Sequence, residues 1–227
     1  MLLETDILYE DNHIIIINKA TNIPVQGDIT GDICLLDIVK EYIKNEYNKP
    51  GAVFLGLVHR IDRPVSGIVL LAKTSKALTR LNEMFKTRNI NKTYWAIVKN
   101  EVPAVKMLLC NYLKKNSTQN KSYIVKENTA GAAKAVLEYS LISKSDKYYL
   151  LEIILHTGRH HQIRAQLANI GCPIKGDIKY GFDRPNKDGS ICLHSRKIEF
   201  IHPVTNNNIS IIAAPPSNEA LWKCFNI

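Results

Sequence analysis

An acidic residue fixed between two arginines is the first feature with chemical content. In HRIDRPVSG, residues 59–67, Asp62 lies between Arg60 and Arg63, and Pro64 and Gly67 follow within five positions. A carboxylate among cations on a stiff turn suits three kinds of chemistry: a surface ion pair, a metal ligand, or a lone catalytic carboxylate that attacks, stabilises charge or moves a proton. Alternate residues of an extended segment face one side, so Arg60 and Asp62 can reach the same cleft.

A second candidate lies at HTGRHHQIRAQLANIG, residues 156–171. Thr157 and Gly158 end a strand-like run, and the segment then switches to helical period, with Ile163, Leu167 and Ile170 at i, i+4 and i+7 and Gly171 placed to end the helix. His160 and Arg164, four apart, sit on neighbouring points of one face. A helix start with open backbone N–H groups and an arginine suits a phosphate or carboxylate. The plainer alternative is that Arg164 pairs with an acidic residue and ties the helix down. Tyr94 lies in the strand-like run KTYWAIV, where the plain role of an aromatic ring is core packing. Trp95 faces the opposite way and suits core packing.

His156, His160 and His161 cluster, and His59, His194 and His202 lie near other motifs. A metal site needs two or three such groups converging with a carboxylate. His156 and His160 straddle a strand-to-turn boundary, where helical spacing does not apply, so no metal is expected. The five cysteines are scattered without a C-x-x-C pair, which points to neither a disulfide framework nor a zinc knuckle. No phosphate-binding or dinucleotide glycine motif is present.

The elements that must position these residues belong to a chain of 227 residues, 45% hydrophobic, with formal charge +9 from 30 Lys and Arg against 21 Asp and Glu. The excess of cations fits a polyanionic partner, with a solvated lysine-rich surface as the simpler account. No apolar run is long enough for a membrane span, and Glu4, Asp6, Glu10 and Asp11 break any signal-peptide pattern, so a cytoplasmic protein is expected.

HIIIINK (13–19) reads as a strand running into the turn-rich segment 20–32, and residues 34–47 as an amphipathic helix. A short strand, the Asp62 loop and an apolar strand over 68–72 follow. A helix over about 75–88 then begins with Thr74 or Ser75 as its cap. Residues 91–98 form the next strand. The polar stretch 110–134 suits an exposed hairpin or flexible loop. Further strands are expected at 135–142, 148–155, 191–205 and 208–215, with a loop over 172–181. Strand-like runs outnumber helices and are joined by short turns, which favours an α+β fold with a mixed, largely antiparallel central sheet. No linker divides the chain, so one domain over 1–227 is expected.

HRIDRPVSGIVLLAKT, KTYWAIV, HTGRHHQIRAQLANIGCPIKGDIKYG and CLHSRKIEFIHP together resemble the motifs of pseudouridine synthases, specifically the group similar to ribosomal large-subunit synthase A. The resemblance runs from LYEDNHIIIINKA to HPVT. Ile61 and Val65 stand where that group usually has Leu and Thr. It implies isomerisation of uridine in RNA, ribosomal or transfer, with Asp62 as the catalytic carboxylate and Arg164 as the cation that holds it ionised. It assigns Tyr94 to stacking and proton transfer and Arg60 to displacing the target base. Arg159 is assigned to phosphate contact or bracing, His160 to the substrate side, and Leu193 to the pocket floor. The reaction needs no cofactor.

No separate N-terminal RNA-binding domain is expected, so the domain's own cleft and the basic stretch 114–134 would meet RNA, with no obligate protein partner and a monomeric chain. Two other functions are compatible with parts of the pattern: a catalytically inactive RNA-binding protein of the same fold, and a metal-dependent phosphodiesterase built on the histidines.

Overall fold

The computed structural model describes residues 6–28 and 30–225. Glu4 and Ile29, the latter inside the turn-rich segment 20–32, lie outside the described residues. The chain forms two compact units, one of residues 1–91 and 195–215, the other of residues 92–194 and 216–227. The passages at 91/92 and 194/195 fall inside strands, so no shift of composition marks them.

The first unit holds β1 (Ile7–Glu10), β2 (Ile14–Lys19), β3 (Gly56–Leu57), β4 (Ser66–Ala72), most of β10 (Leu193–Ile201) and β11 (Asn208–Ile212). Its strands run in the order β1-β2-β4-β10, with β3 added to β4 and β11 to β10. The pairing of β2 with β4 is antiparallel and joins Lys19 to Gly67 at one end and Ile14 to Ala72 at the other. Both strands carry apolar residues on both faces and are buried except at Asn18, as their continuous β-branched runs require.

Helix α1 (Leu35–Glu46) buries Leu35, Val39 and Ile43. Helix α2 (Ser75–Lys86) lays Ala77 and Leu81 on a core that includes Ile14, Ile16, Ile68, Leu70 and Phe200. Thr74 caps α2 by accepting a hydrogen bond from the Ala77 amide at 3.2 Å.

The strand after the Asp62 loop begins at Ser66, two residues earlier than the apolar pattern suggests, because Gly67 lets it pass tightly by β10. A Cβ on Gly67 would lie 2.3 Å from the Ser195 carbonyl oxygen, and its φ of +106° is outside what other residues adopt readily. Gly67→Ala is therefore expected to cost about 3 kcal/mol or more in urea denaturation, from overpacking and backbone strain together. A loss below about 1 kcal/mol would mean that the two strands separate easily.

The second unit holds β5 (Ile90–Val98, from Lys92), β6 (Lys106–Asn116), β7 (Lys121–Val125), β8 (Ala133–Lys144) and β9 (Tyr149–Leu155), in the order β5-β9-β8-β6-β7. All four neighbouring pairs are antiparallel. The polar stretch 110–134 is an ordered hairpin: β6 and β7 pair from Tyr112 with Val125 to Asn116 with Lys121, around a turn that ends at Asn120 with positive φ. Helix α3 (Gln162–Asn169) follows β9, and Gly171 beyond it takes the left-handed conformation. Among the described residues no helix is long and apolar enough to cross a membrane. The fold is mixed α+β and largely antiparallel, as the strand-rich pattern implies.

Candidate functional site

In the first unit, Asp62 is half-buried on a turn closed by the Val65 amide, which donates to the Asp62 carbonyl at 3.0 Å. Ile61 and Val65 are buried on either side of it, while Arg60 and Arg63 are exposed. The alternation places Arg60 and Asp62 outward and Ile61 inward, which fixes which way the carboxylate can turn. Upstream, His59 stacks on Phe85 with ring centroids 5.0 Å apart, and its Nε2 accepts the Leu70 amide at 3.0 Å. That bond leaves the ring proton of the neutral form on Nδ1.

The turn is stitched to the loop after β2. The Arg63 carbonyl accepts the Asn22 amide at 2.8 Å, and Arg63 Nε donates back to the Asn22 carbonyl at 3.1 Å. Arg63 Nη1 pairs with Asp32 at 2.7 Å. Lys19, only 1% exposed, donates from Nζ to the carbonyls of Ala20 (2.8 Å), Ile23 (2.9 Å) and Arg63 (3.3 Å). Burial pushes its ammonium down to about 7; the charge of Asp62 opposes this fall and that of Arg63 adds to it.

The sign of the resulting pH dependence follows from comparing the folded and unfolded chains. Unfolded, Lys19 keeps its proton up to about pH 10. Between about 7 and 10 the unfolded chain therefore binds a proton that the folded chain has lost, and stability rises with pH by up to about tenfold in the folding equilibrium per unit. That contribution is complete above the unfolded value and is lost as pH falls towards 7. In urea titrations from pH 7 to 9, the stability of wild type relative to Lys19→Met should climb; a constant difference would mean that Lys19 stays charged.

In the second unit, Tyr94 is 7% exposed on β5, opposite Ile153 of β9. Lys92, two residues earlier on the same strand face, is held below the usual lysine range by burial. A Cβ on Gly158 would sit 3.7 Å from its amine, an ordinary van der Waals contact. Leu193, at the start of β10, is 4% exposed.

The turn into α3 is held by side chains. Thr157 Oγ1 accepts the Val136 amide at 2.8 Å and donates to Gln162 Oε1 at 2.7 Å, and that oxygen also accepts the Arg159 amide at 3.0 Å. Arg159 is exposed, and its Nε donates to the Lys134 carbonyl at 3.0 Å, bracing this turn against β8. His160 bridges to the hairpin through Ser122 Oγ (2.8 Å) and Asn120 Oδ1 (3.1 Å), and stacks on His161 with centroids 3.8 Å apart. His161 Nδ1 lies 3.0 Å from the Tyr180 hydroxyl, which also accepts the Ser122 amide at 2.8 Å.

Arg164, 5% exposed, makes a two-pronged ion pair with Asp177, from Nε at 2.7 Å and Nη2 at 2.8 Å, and its guanidinium lies 5.1 Å from the Tyr180 ring centre. Two parallel bonds to a carboxylate fix the plane of the guanidinium as well as its position. The acidic partner was not legible in the sequence, although Asp177 lies in the loop KGDIKYG within the third quoted motif. His160 and His161 serve as hydrogen-bonding links, and among the described residues no group of three or more His, Cys, Asp or Glu gathers as metal ligands.

A family model described as RNA pseudouridylate synthase matches residues 13–169, and the chain belongs to this family. Among curated relatives, ribosomal large subunit pseudouridine synthase C of Buchnera aphidicola subsp. Baizongia pistaciae is 33% identical over 91% of this chain and 66% of its own length. The protein of that name from Haemophilus ducreyi is 34% identical over 93% of this chain and 66% of its own. The chain thus spans just under two thirds of the length of these relatives. Of solved structures, Human RNA Pseudouridylate Synthase Domain Containing 4 shares the fold with a TM-score of 0.80 at 23% identity, covering 95% of this chain and 90% of that one. Human RNA Pseudouridylate Synthase Domain Containing 1 gives 0.73 at 19% identity, covering 99% and 90%.

Proposed function

We propose that this chain converts uridine in RNA to pseudouridine, with Asp62 as the catalytic carboxylate. The observation that carries this reading is the Asp62 turn itself, lying within the matched family region, half-buried and flanked by Arg60 and Arg63. In the reaction the N1–C1′ glycosidic bond breaks, the detached uracil rotates, and C5 bonds to C1′; the C5 proton leaves and N1 gains one. No electrons are exchanged with an outside group, so the isomerisation needs no redox partner. Positive charge develops on the sugar and negative charge on the base, and a carboxylate beside C1′ serves the first.

Tyr94 stacks on the extruded base and Arg60 fills the space it leaves in the RNA. Arg164, its plane set by Asp177, supplies the cation proposed to orient the catalytic carboxylate. Arg159, His160 and Leu193 line the substrate side.

The substrate class is ribosomal RNA of the large subunit. The names of the curated relatives support this over transfer RNA, and they favour the synthase C group over the synthase A group that the motifs first suggest. The chain acts in the cytoplasm as a monomer, and its basic hairpin with Lys114, Lys115 and Lys121 is the part of the second unit suited to phosphates. Chemical mapping of pseudouridine in cellular RNA, with and without the gene, tests the whole reading. One lost site in large-subunit RNA is expected; an unchanged map would leave an RNA-binding protein without this activity.

A further inference from the structure

Lys19 is a costly residue to keep in its place. An ammonium 1% exposed loses its hydration, and in exchange it receives only backbone carbonyls and the field of one carboxylate, Asp62. Its acceptors are the carbonyls of Ala20, Ile23 and Arg63. An ammonium has three N–H donors, which these three acceptors match, whereas a neutral amine has two. Deprotonation must release one contact. The longest is that to Arg63, the residue directly after Asp62. The Arg63 carbonyl keeps the Asn22 amide as a second donor, so its release leaves no buried acceptor orphaned and the fold intact. What changes is the hold on the turn and the charge acting on Asp62.

We propose that Lys19 is a positioning residue for the Asp62 turn, clamping the Arg63 carbonyl to the loop after β2 and supplying a buried positive charge that acts on Asp62. The proposal rests on the reading that Asp62 carries the reaction. The charged groups acting on the amine are Asp62 and Arg63, and Arg63 is itself paired with Asp32 and under the field of Asp28. Since burial brings the amine to about 7, activity and stability should move in opposite directions through its titration: protonation tightens the turn, and loss of the proton relieves the cost of a buried charge.

The test is single-turnover tritium release from large-subunit ribosomal RNA transcribed with 5-tritiated uridine, from pH 6 to 9, for wild type, Lys19→Met and Asp62→Asn. Taking the ratio of wild type to Lys19→Met at each pH removes effects of pH on the RNA. The expected ratio is about 10 to 100 at pH 6, the scale of a misplaced catalytic group. It should fall towards one by pH 9, with RNA affinity changed less than about threefold because phosphate contacts lie elsewhere. A ratio near one throughout, with wild type active and Asp62→Asn silent, overturns the role of Lys19 and leaves that of Asp62. A low but pH-independent variant rate reduces Lys19 to a structural residue and also overturns it. A wild type silent on every transcript sinks the functional reading and the proposal with it. If Lys19→Met fails to fold, wild type and Lys92→Arg labelled at lysine Cε with carbon-13 give an independent answer: one resonance present in both should titrate near pH 7, and the absence of any such shared titration below about pH 9 rules the proposal out.

Discussion

Asp62→Asn should make no detectable pseudouridine, a fall of at least about a thousandfold, while RNA affinity stays within about threefold of wild type. Asparagine keeps the size and much of the hydrogen bonding of the aspartate, so the turn closed by Val65 and pinned at Arg63 has no reason to open. What is lost is the charge that meets the developing cation at C1′. Affinity, by contrast, comes mainly from Lys and Arg contacts to phosphate, and those weaken with salt in wild type and variant alike. Removing a negative charge from beside Arg60 and Arg63 should, if anything, tighten binding. Filter binding at two salt concentrations beside a single-turnover assay reads both halves. Turnover near wild type would return HRIDRPVSG to an ordinary surface ion-pair motif, and lost binding with an intact fold would make Asp62 a recognition residue.

The parts of this molecule that depend on short-range pattern were legible in the sequence. Helices α1 and α2 lie within a residue or two of the spans their apolar spacing predicts, and Gly171 ends α3 region as its position implies. The hairpin over the polar stretch was open between ordered and flexible, since Lys, Asn and Ser along β6 and β7 hide the alternation of Leu109 and Leu113 that faces the core. β1 was not legible at all: its four residues are half-buried and include a glutamate, too short and mixed for a period to show.

Long-range pairings were the illegible part of the candidate site. Nothing in a lysine at the end of an isoleucine run shows that its amine is buried under three carbonyls, two of them from a turn-rich loop and one from a segment 44 residues away. The arginine of α3 and the aspartate 13 positions later are likewise separated by a helix end and a loop. Patterns of two or 3.6 residues register which face an element buries; they carry no record of which polar groups meet once elements pack.

That arginine–aspartate pair decides how the second large effect must be measured. Arg164→Met keeps much of the packing but strands Asp177, whose side chain is 1% exposed, as a buried charge without its partner. Such a loss typically costs about 3 to 5 kcal/mol, so a drop in turnover alone would not tell a catalytic arginine from a structural one. Arg164→Met with Asp177→Asn removes the stranded charge, and a well-packed neutral pair is often as stable as the buried ions it replaces. The double variant should therefore recover most of the stability in urea denaturation and still turn over RNA at least about a hundredfold more slowly than wild type, because the cation proposed to orient Asp62 is gone. Recovery of both stability and turnover would show that Arg164 only ties α3 to the loop bearing Asp177, and Arg159 would then be the next candidate for the cation.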